Sequence, residues 1–159
     1  MHPEISRLPS SLFYSGRLQD GPGMDTKTQR PWQLNPKFGT YRFFNINGQE
    51  ENSRHSVKNN AECQVALALY DRLAKEYPEV QDRRIGIVSM YKAQVNLLKQ
   101  RFEARYGHQI LQNVDFNTVD GFQGQEKDII ILSCVRAGPG LQNIGFLAGQ
   151  PLVSICEPF

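Results

Sequence analysis

The largest group of side chains suited to chemistry lies in a polar loop at residues 120–128. Gly121 and Gly124 allow close backbone approaches that a side chain would block. The two glutamines of the loop supply donors and acceptors, and its carboxylates can accept hydrogen bonds or help to hold a magnesium-bound water. Lys127 has the charge to neutralise a phosphate. Residue types alone fit two interpretations equally well: a nucleotide or polynucleotide contact loop, or a solvated turn between strands.

Apolar runs on both sides of this polar loop predict the two strands that position it. Residues 114–119 alternate between apolar and polar side chains. Residues 129–135 are almost continuously apolar, which is typical of a strand covered on both faces. Ligands of open α/β sheets bind beyond the carboxyl ends of the strands. We therefore expect the polar loop at a ligand-binding edge of a sheet.

Strands and helices alternate in the preceding part of the chain. Residues 41–46 and 85–90 are expected strands. Helices are expected at about residues 59–77 and 92–106, the first with a capping-box-like start at Asn59. Strands separated by helices of this length indicate βαβ units and a mainly parallel sheet.

The first forty residues predict less regular structure. Residues 3–14 have helix-like apolar spacing, which Pro9 is expected to kink or divide. Residues 15–40 are expected to form a mobile loop with a functional contact, pinned to the body by Trp32 and Phe38.

Composition places the chain among ordinary globular proteins. Its 159 residues are 21% charged and 40% apolar, which suits one domain with a sizeable core. The net charge of +2 is compatible with nucleic-acid binding but does not argue for it. The three cysteines are scattered, so a reducing compartment is expected. No apolar run approaches the roughly 20 residues that span a bilayer.

Several familiar kinds of site are excluded by their missing motifs. The sequence contains no G-x-x-x-x-G-K-[ST] phosphate loop and no G-x-G-x-x-G dinucleotide motif. No histidines have metal-ligand spacing, and His55 and His108 are expected on the surface. No serine has a nucleophile-elbow context, and Cys134 is expected to be a packing residue.

Four stretches resemble a known family. The run T-V-D-G-F-Q-G-Q-E-K-D-I-I-I-L-S-C-V-R-A at residues 118–137 closely resembles motif V of superfamily-1 helicases of the nonsense-decay and senataxin-like branch. M-H-P at the start of the chain, N-x-x-E at residues 59–62 and I-G-I-V-S-M-Y-K-A-Q at residues 85–94 resemble other motifs of that branch in the same order. G-F-L at residues 145–147 also fits, so the resemblance covers about residues 1–148.

The resemblance implies a fold and a function. The fold would be an α/β, RecA-like domain of the P-loop-NTPase type, with a mainly parallel sheet flanked by helices and truncated at both ends. Residues 1–148 would be the second, C-terminal RecA-like helicase domain, incomplete, and residues 149–159 an unrelated tail. In this family two RecA-like domains close on ATP, and nucleic acid lies across both. The chain would therefore contribute motif V to the ATP and nucleic-acid sites of an ATP-dependent RNA or DNA helicase.

The family motifs also imply individual site residues. The expected catalytic residues are Gln123 and Glu126. The expected ATP-binding residues are Gly124, Glu126, Tyr91 and Gln94, with no metal ligand in this chain. The expected nucleic-acid-binding residues are Thr118, Val119, Asp120 and Arg136. Purely structural roles compete with some of these: Val119 and Phe122 as core residues, Tyr91 as a packing aromatic, and Asp128 as a brace of the loop.

Three departures from the family pattern bear on activity. The Tyr-Arg pair that precedes Met-His-Pro in the family is absent. Residues 149–159 stand where the family has motif VI with its arginine finger. The first RecA-like domain, with its phosphate loop and magnesium-binding acidic pair, is also absent. Arginine fingers contribute on the order of 10³ or more in rate, so the chain alone is predicted to hydrolyse essentially no ATP.

The implied cofactors and partners follow the same resemblance. ATP and magnesium would belong to the intact two-domain parent. Single-stranded RNA or DNA and the first RecA-like domain would be the partners, with no membrane, and the nucleus is favoured over the cytoplasm. Two alternatives stay open: a non-catalytic module that binds nucleic acid or a partner, and a truncated gene product without independent activity.

Overall fold

A computed structural model describes residues 1–82 and 84–136. In chain order the helices and strands are α1 (Pro3–Phe13), α2 (Met24–Lys27), β1 (Glu50–Ser53), β2 (Ser56–Asn59), α3 (Asn60–Glu76), β3 (Ile85–Ser89), α4 (Lys92–Tyr106), α5 (Ile110–Asn113), β4 (Val114–Thr118) and β5 (Ile129–Ser133). The expected G-F-L match at residues 145–147 and the tail at 149–159 lie outside the described residues. The chain divides into two compact units, one formed by residues 1–45 and 71–80 and the other by residues 46–70 and those from 81 onwards.

Three parallel strands form the central sheet of the second unit, in the order β4-β3-β5. Ile85 of β3 lies beside Val114 of β4 and Ile129 of β5, so the three strands start level with one another. All five residues of β3 are buried, as expected for a central strand covered on both faces. The sheet and its flanking helices confirm the predicted α/β fold.

Strand β5 differs from its prediction in length and in burial. It ends at Ser133, and its side chains alternate between more and less buried. Ile130 and Leu132 are 57% and 50% exposed. The expected covering of both faces was therefore wrong for the described part of the chain. The reason is position: β5 lies at the edge of the described sheet, and β3 occupies the centre.

The expected strand at residues 41–46 does not form, and a hairpin follows it instead. Tyr41, Phe43 and Phe44 are exposed and irregular. Strands β1 and β2 pair in antiparallel register from Glu50 opposite Asn59. Alternating aromatic residues alone did not make a strand, because a strand also needs a partner for its backbone groups.

Both long helices follow their sequence signals. The Glu62 N–H donates to Asn59 Oδ1 at 3.2 Å, so Asn59 caps α3 as predicted. Helix α4 ends at Gly107, whose positive φ of 80° suits a C-terminal cap. Phe102 of α4 is fully buried and packs edge-on to Phe116 of β4, with ring centres 5.2 Å apart.

In the first unit, α1 passes through Pro9 without dividing. Its buried residues are the small Ser6 and Ser10, while its apolar residues Ile5, Leu12 and Phe13 are exposed. Trp32 and Phe38 each pack edge-on against Tyr77, with ring centres 6.2 and 6.1 Å apart. This contact confirms that the two aromatic residues anchor the loop at residues 15–40.

Candidate functional site

The candidate site lies where the three parallel strands end at one edge. Ser89, the last residue of β3, lies between Thr118 of β4 and Ser133 of β5. The polar loop therefore begins at this carboxyl edge, as does the segment after β5. Carboxyl edges of parallel sheets are the usual places for ligands in this class of fold.

A buried polar network lies behind this edge. We call it the carboxyl-edge network, and its members are Asn59, Glu62, Ser89, Gln94 and Ser133. Asn59, Ser89 and Gln94 have no exposed surface at all. Such groups are stable in a protein interior only when their hydrogen bonds are made.

Gln94 is the centre of the network. Its Oε1 accepts from the Asn59 N–H at 2.8 Å, and its Nε2 donates to Asn59 O at 3.1 Å and to Ser133 Oγ at 3.0 Å. Ser89 Oγ adds a hydrogen bond to Ser133 O at 2.8 Å. The first turn of α4 is thereby joined to the hairpin and to the ends of two strands. Gln94 was predicted to contact ATP. In this arrangement the oxygen and the nitrogen of its side-chain amide both make hydrogen bonds inside the protein.

Glu62 carries the network to the residues after β5. Its Oε2 accepts from Ser133 Oγ at 2.5 Å and from the Val135 N–H at 2.9 Å. Asn59 Nδ2 donates to the Val135 carbonyl at 3.0 Å. Both backbone polar groups of Val135 are thus bound by side chains from the start of α3.

Val135 has an unusual backbone conformation, which explains why two side chains bind its polar groups. Its φ is +70°, a left-handed value that β-branched residues rarely adopt. The Arg136 N–H donates to Cys134 O at 2.8 Å across it, which makes residues 134–136 a tight γ-type turn. We call these residues the Val135 turn. Val135 itself is fully buried, in a cluster with Val57 and Tyr91.

The Val135 turn places Arg136 against Tyr91. The guanidinium carbon lies 5.7 Å from the centre of the Tyr91 ring, within the range of a cation–π contact. Arg136 Nε lies 3.5 Å from Glu50 Oε2 of the hairpin. The structure therefore brings together two predicted site residues from different groups, Tyr91 for ATP and Arg136 for nucleic acid.

The first part of the polar loop stays at the carboxyl edge. The Val119 N–H donates to Ser89 O at 3.2 Å and so extends the β3–β4 pairing by one hydrogen bond. A short 3-10 turn, Asp120–Phe122, follows directly. A Cβ on Gly121 would lie 2.2 Å from Asn117 Oδ1, so this position needs glycine or a moved asparagine. Val119 is 45% exposed, which contradicts its alternative role as a core residue.

The loop then crosses one face of the sheet, from the carboxyl ends of the strands towards their amino ends. Phe122 is buried over Gly86 of β3, where an added Cβ would lie 2.9 Å from its ring and 3.1 Å from Lys127 Cγ. Phe122 is therefore a core residue, which confirms the structural role predicted for it. The missing side chain of Gly86 provides the space that the loop fills.

Lys127 and Asp128 lie at the other end of the crossing. Lys127 is paired with Asp115 near the start of β4, so its charge already has a partner inside the protein. Asp128 Oδ2 accepts from the Arg84 N–H at 3.2 Å, and the Asp128 N–H donates to Arg84 O at 2.9 Å. Because β4 and β5 are parallel, the loop must return to the amino edge, and these residues brace it there.

The middle of the loop remains exposed. We call residues 123–126 the loop tip. Gln123, Gly124 and Glu126 are all exposed, and Gly124 has a φ of +78° with no atom within 4 Å of an added Cβ. Within the described residues the side chains of Gln123 and Glu126 have no hydrogen-bond partner. The tip is thus a set of polar groups directed outwards between two fixed points.

Sequence reasoning missed most of the carboxyl-edge network. Ser89 and Ser133 were considered only as nucleophiles and set aside, and Glu62 only as part of a helix cap and of the N-x-x-E match. A serine at the last position of two apolar strands was the available signal. Cys134 was expected to pack in a strand, but β5 has ended before it and the residue is exposed. Burial raises the pKa of the Cys63 thiol to about 11, which keeps it protonated at neutral pH, and partial burial also raises the pKa of the Cys134 thiol.

The remaining candidates for chemistry are few in the described ranges 1–82 and 84–136. They contain no group of three or more His, Cys, Asp or Glu side chains placed to hold a metal ion. His55 and His108 are on the surface, as predicted. None of the described helices combines the length and the apolar character that a membrane crossing needs.

Comparison with known proteins gives a consistent set of relatives. A family model described as an AAA domain matches residues 1–155. The chain is 45% identical over 152 residues to Helicase SEN1 of Saccharomyces cerevisiae, covering 92% of this chain and 7% of that protein. It is 42% identical over 161 residues to Probable helicase MAGATAMA 3 of Arabidopsis thaliana, covering 98% and 19%. It is 36% identical over 155 residues to Regulator of nonsense transcripts 1 homolog of Drosophila melanogaster, covering 92% and 13%. The chain thus spans less than a fifth of each of these relatives.

Proposed function

We propose that this chain, which belongs to the AAA-domain family, is the second RecA-like domain of an ATP-dependent RNA or DNA helicase. Two of the relatives compared above are named as helicases, and the third as a regulator of nonsense transcripts. The resemblance of residues 118–137 to motif V agrees with both observations. Residues 1–148 would form this domain and residues 149–159 a separate tail, and the nucleus is the favoured compartment.

One observation carries the proposal: the loop tip is exposed while both of its ends are fixed. Phe122 is buried on one side of it, and Lys127 is paired with Asp115 on the other. A solvated turn between strands needs no such support. A loop that must present polar groups to a ligand or to a second domain does, because catalytic and binding groups act best when they are preorganised.

The residues of the tip fit one side of an ATP site. Gly124 leaves the backbone open to close approach, which suits contact with the γ-phosphate, and Gln123 and Glu126 offer amide and carboxylate groups for the attacking water. Bound between two domains, ATP supplies the phosphoanhydride whose cleavage drives translocation. The proposal assigns magnesium binding to the first RecA-like domain, since this chain contains no phosphate-loop motif.

Tyr91 and Gln94 would serve the same site from the start of α4. Gln94 has no exposed surface, so its proposed part is to fix the carboxyl edge beneath the nucleotide. Tyr91 would line the cleft between the domains. Both roles are compatible with their hydrogen bonds and packing to the ends of β3 and β5.

Nucleic acid would lie along the start of the polar loop and the Val135 turn. Thr118, Val119 and Asp120 leave β4 at the carboxyl edge, and Arg136 follows β5 at the same edge. An arginine there suits a phosphate contact, whereas an exposed valine suits contact with a sugar or base. Binding of this kind depends on phosphate charge and stacking, with little sequence preference.

The binding half of the proposal is tested by titrating the full chain into fluorescein-labelled single-stranded U15 RNA and T15 DNA at several salt concentrations. We expect measurable binding at low salt that falls steeply as salt rises. Arg136→Ala should weaken binding about fivefold, as loss of one phosphate contact of about 1 kcal/mol implies. Lys99→Ala, an exposed lysine of α4, should leave it unchanged. Equal effects of the two variants would contradict the proposed path.

The catalytic half is tested by ATP turnover of the purified chain with and without the U15 RNA. Turnover should stay at the uncatalysed level, because these 159 residues contain no phosphate-loop motif and the proposed ATP site needs a second RecA-like domain. ATP hydrolysis by this chain that Glu126→Gln abolishes would contradict the assignment of a half-site.

A non-catalytic nucleic-acid-binding module is the second candidate. It is favoured by the contrast between Arg136, which the chain positions with its own residues, and Gln123 and Glu126 of the loop tip, whose side chains have no hydrogen-bond partner among the described residues. RNA binding in the absence of ATP, unchanged by Glu126→Gln, would favour this second function over the first.

A further inference from the structure

We propose that Glu62 and Asn59 are positioning residues that hold the Val135 turn in its strained conformation and thereby direct Arg136 onto its ligand. This inference rests on the proposed nucleic-acid role of Arg136. It gives a binding function to two side chains that otherwise belong to the cap of a helix. The ligand is the phosphate backbone of a single-stranded nucleic acid.

The first step is the strain at Val135. A left-handed φ of +70° places the branched Cβ of valine close to its own backbone, so the isolated turn would relax. Strained residues persist only where the surroundings over-determine them, and they cluster at functional sites. The turn must therefore be held by something outside residues 134–136.

The second step is the identity of the holding groups. Glu62 Oε2 binds the Val135 N–H at 2.9 Å, and Asn59 Nδ2 binds the Val135 carbonyl at 3.0 Å. The two side chains thus bind the peptide units before and after Val135, one through its N–H and the other through its carbonyl. Neither bond is needed to cap the helix, because the cap uses Asn59 Oδ1 and the Glu62 N–H.

The third step is the rigidity of the holding groups themselves. Glu62 also accepts from Ser133 Oγ, and the backbone of Asn59 exchanges two hydrogen bonds with Gln94. The four residues are at least 92% buried, so these bonds form away from competing water. A rigid base of this kind transmits its position to the residue it holds.

The last step is the effect on Arg136. Its N–H closes the turn, and its side chain lies over Tyr91 and beside Glu50. If the turn relaxed, the chain direction after Val135 would change, and the guanidinium would leave the Tyr91 ring. Preorganisation lowers the entropy lost on binding, so a released Arg136 would bind phosphate more weakly.

Three variants distinguish the effect on the Val135 turn from the effect on the helix cap. Asn59→Ser keeps a good N-cap but removes the donor to Val135. Glu62→Ala removes both acceptor contacts, and Glu62→Gln restores an acceptor of the same shape. Cys63→Ala is the matched control, since it truncates a buried neighbour on the same helix and removes no hydrogen bond to the Val135 turn.

The first measurement is structural and needs no ligand. Nuclear magnetic resonance of the full chain reports the exchange rate of the Val135 amide and the shift that the Tyr91 ring induces in Arg136. In Glu62→Ala and Asn59→Ser we expect exchange at least about tenfold faster and a smaller ring shift, as removal of a hydrogen bond implies. Glu62→Gln should recover both, and Cys63→Ala should change neither. An unchanged Arg136 shift in Glu62→Ala and Asn59→Ser would overturn the inference.

The second measurement is binding to the fluorescein-labelled U15 RNA. Asn59→Ser and Glu62→Ala should each weaken binding several-fold and lower the salt slope by up to about 0.7, the value of one single-strand phosphate contact. They should have no further effect when Arg136 is already alanine. Full additivity with Arg136→Ala would overturn the positioning role. If Arg136→Ala alone changes nothing, the proposed nucleic-acid path fails instead, and the Arg136 ring shift still decides whether these residues position it.

Discussion

Two residues of the candidate site share a left-handed backbone, Gly124 in the loop tip and Val135 in the turn after β5. Gly124 is exposed, has no neighbour near the place of its missing Cβ, and adopts a φ of +78° without strain. Val135 is fully buried, adopts +70°, and is held by Glu62 and Asn59. Gly124 adopts the left-handed conformation because glycine has no Cβ, whereas Val135 adopts it because hydrogen bonds from Glu62 and Asn59 hold it there.

The difference between the two residues indicates which part of the candidate site is held in place by contacts within this chain. The Val135 turn is bound on both sides of its central residue by groups inside the fold. The loop tip has fixed ends and a single side-chain hydrogen bond among the described residues, from Gln125 Nε2 to Gly121 O at 3.3 Å, while the side chains of Gln123 and Glu126 have none. This contrast agrees with the proposal that Arg136 is positioned within this chain, whereas the loop tip faces a second domain.

The largest effect is expected where the support of the loop is removed. Phe122→Ala deletes a buried ring over Gly86 and should lower the free energy of unfolding by about 3 kcal/mol, as for other buried aromatic residues. Chemical denaturation measures this loss. The Val135 amide should keep its protection from exchange through local opening, because the hydrogen bonds of Val135 come from Asn59 and Glu62 and not from the polar loop. Loss of protection at Val135 would mean that the two regions are not independent.

The next test acts on the strain itself and compares two truncations of Val135. Val135→Ala loses buried methyl groups and keeps the strain, so it should cost about 2 kcal/mol of unfolding free energy. Val135→Gly also loses the Cβ, which costs about 0.8 kcal/mol more, but it relieves the left-handed strain of about 1–2 kcal/mol, so its net cost should be about 1–2 kcal/mol and below that of alanine. Glycine would thus be better tolerated than alanine, the reverse of the usual order. Thermal denaturation of both variants decides it, and the usual order would argue against strain at this turn.

A smaller effect is expected at the loop tip. Gly124→Ala introduces a Cβ into open space, so it causes no clash, and only the left-handed conformation is disfavoured, by about 1 kcal/mol. Global stability should change little, because an exposed tip can adopt another conformation. Proteolysis of the tip should become faster than in the unaltered chain. A loss of global stability as large as that of Phe122→Ala would show that the tip is part of the core.

The sequence predicted the sheet and the helices better than it predicted the contacts between them. Alternation and capping signals located β3, β4 and both long helices, since these depend on local periodicity. The pairing of Lys127 with Asp115 was not predicted, because the two residues meet only after the loop has crossed the sheet. The strain at Val135 had no sequence signal, because valine is an unexpected residue for a left-handed turn. Such features arise from tertiary contacts, which a single sequence does not display.

The smallest expected effect concerns the acidic neighbour of Arg136. Glu50 Oε2 lies 3.5 Å from Arg136 Nε, and both side chains retain contact with solvent, so the pair contributes little to stability. A phosphate that binds Arg136 must nevertheless compete with this carboxylate. Glu50→Gln should therefore tighten binding of the labelled U15 RNA about twofold at low salt, with no change in unfolding free energy beyond about 0.5 kcal/mol. Glu51→Gln, on the same strand and paired with Lys58 instead, is the matched control and should tighten binding less. Equal gains in the two variants would mean that only net charge matters, and that Arg136 has no special place in the path of the nucleic acid.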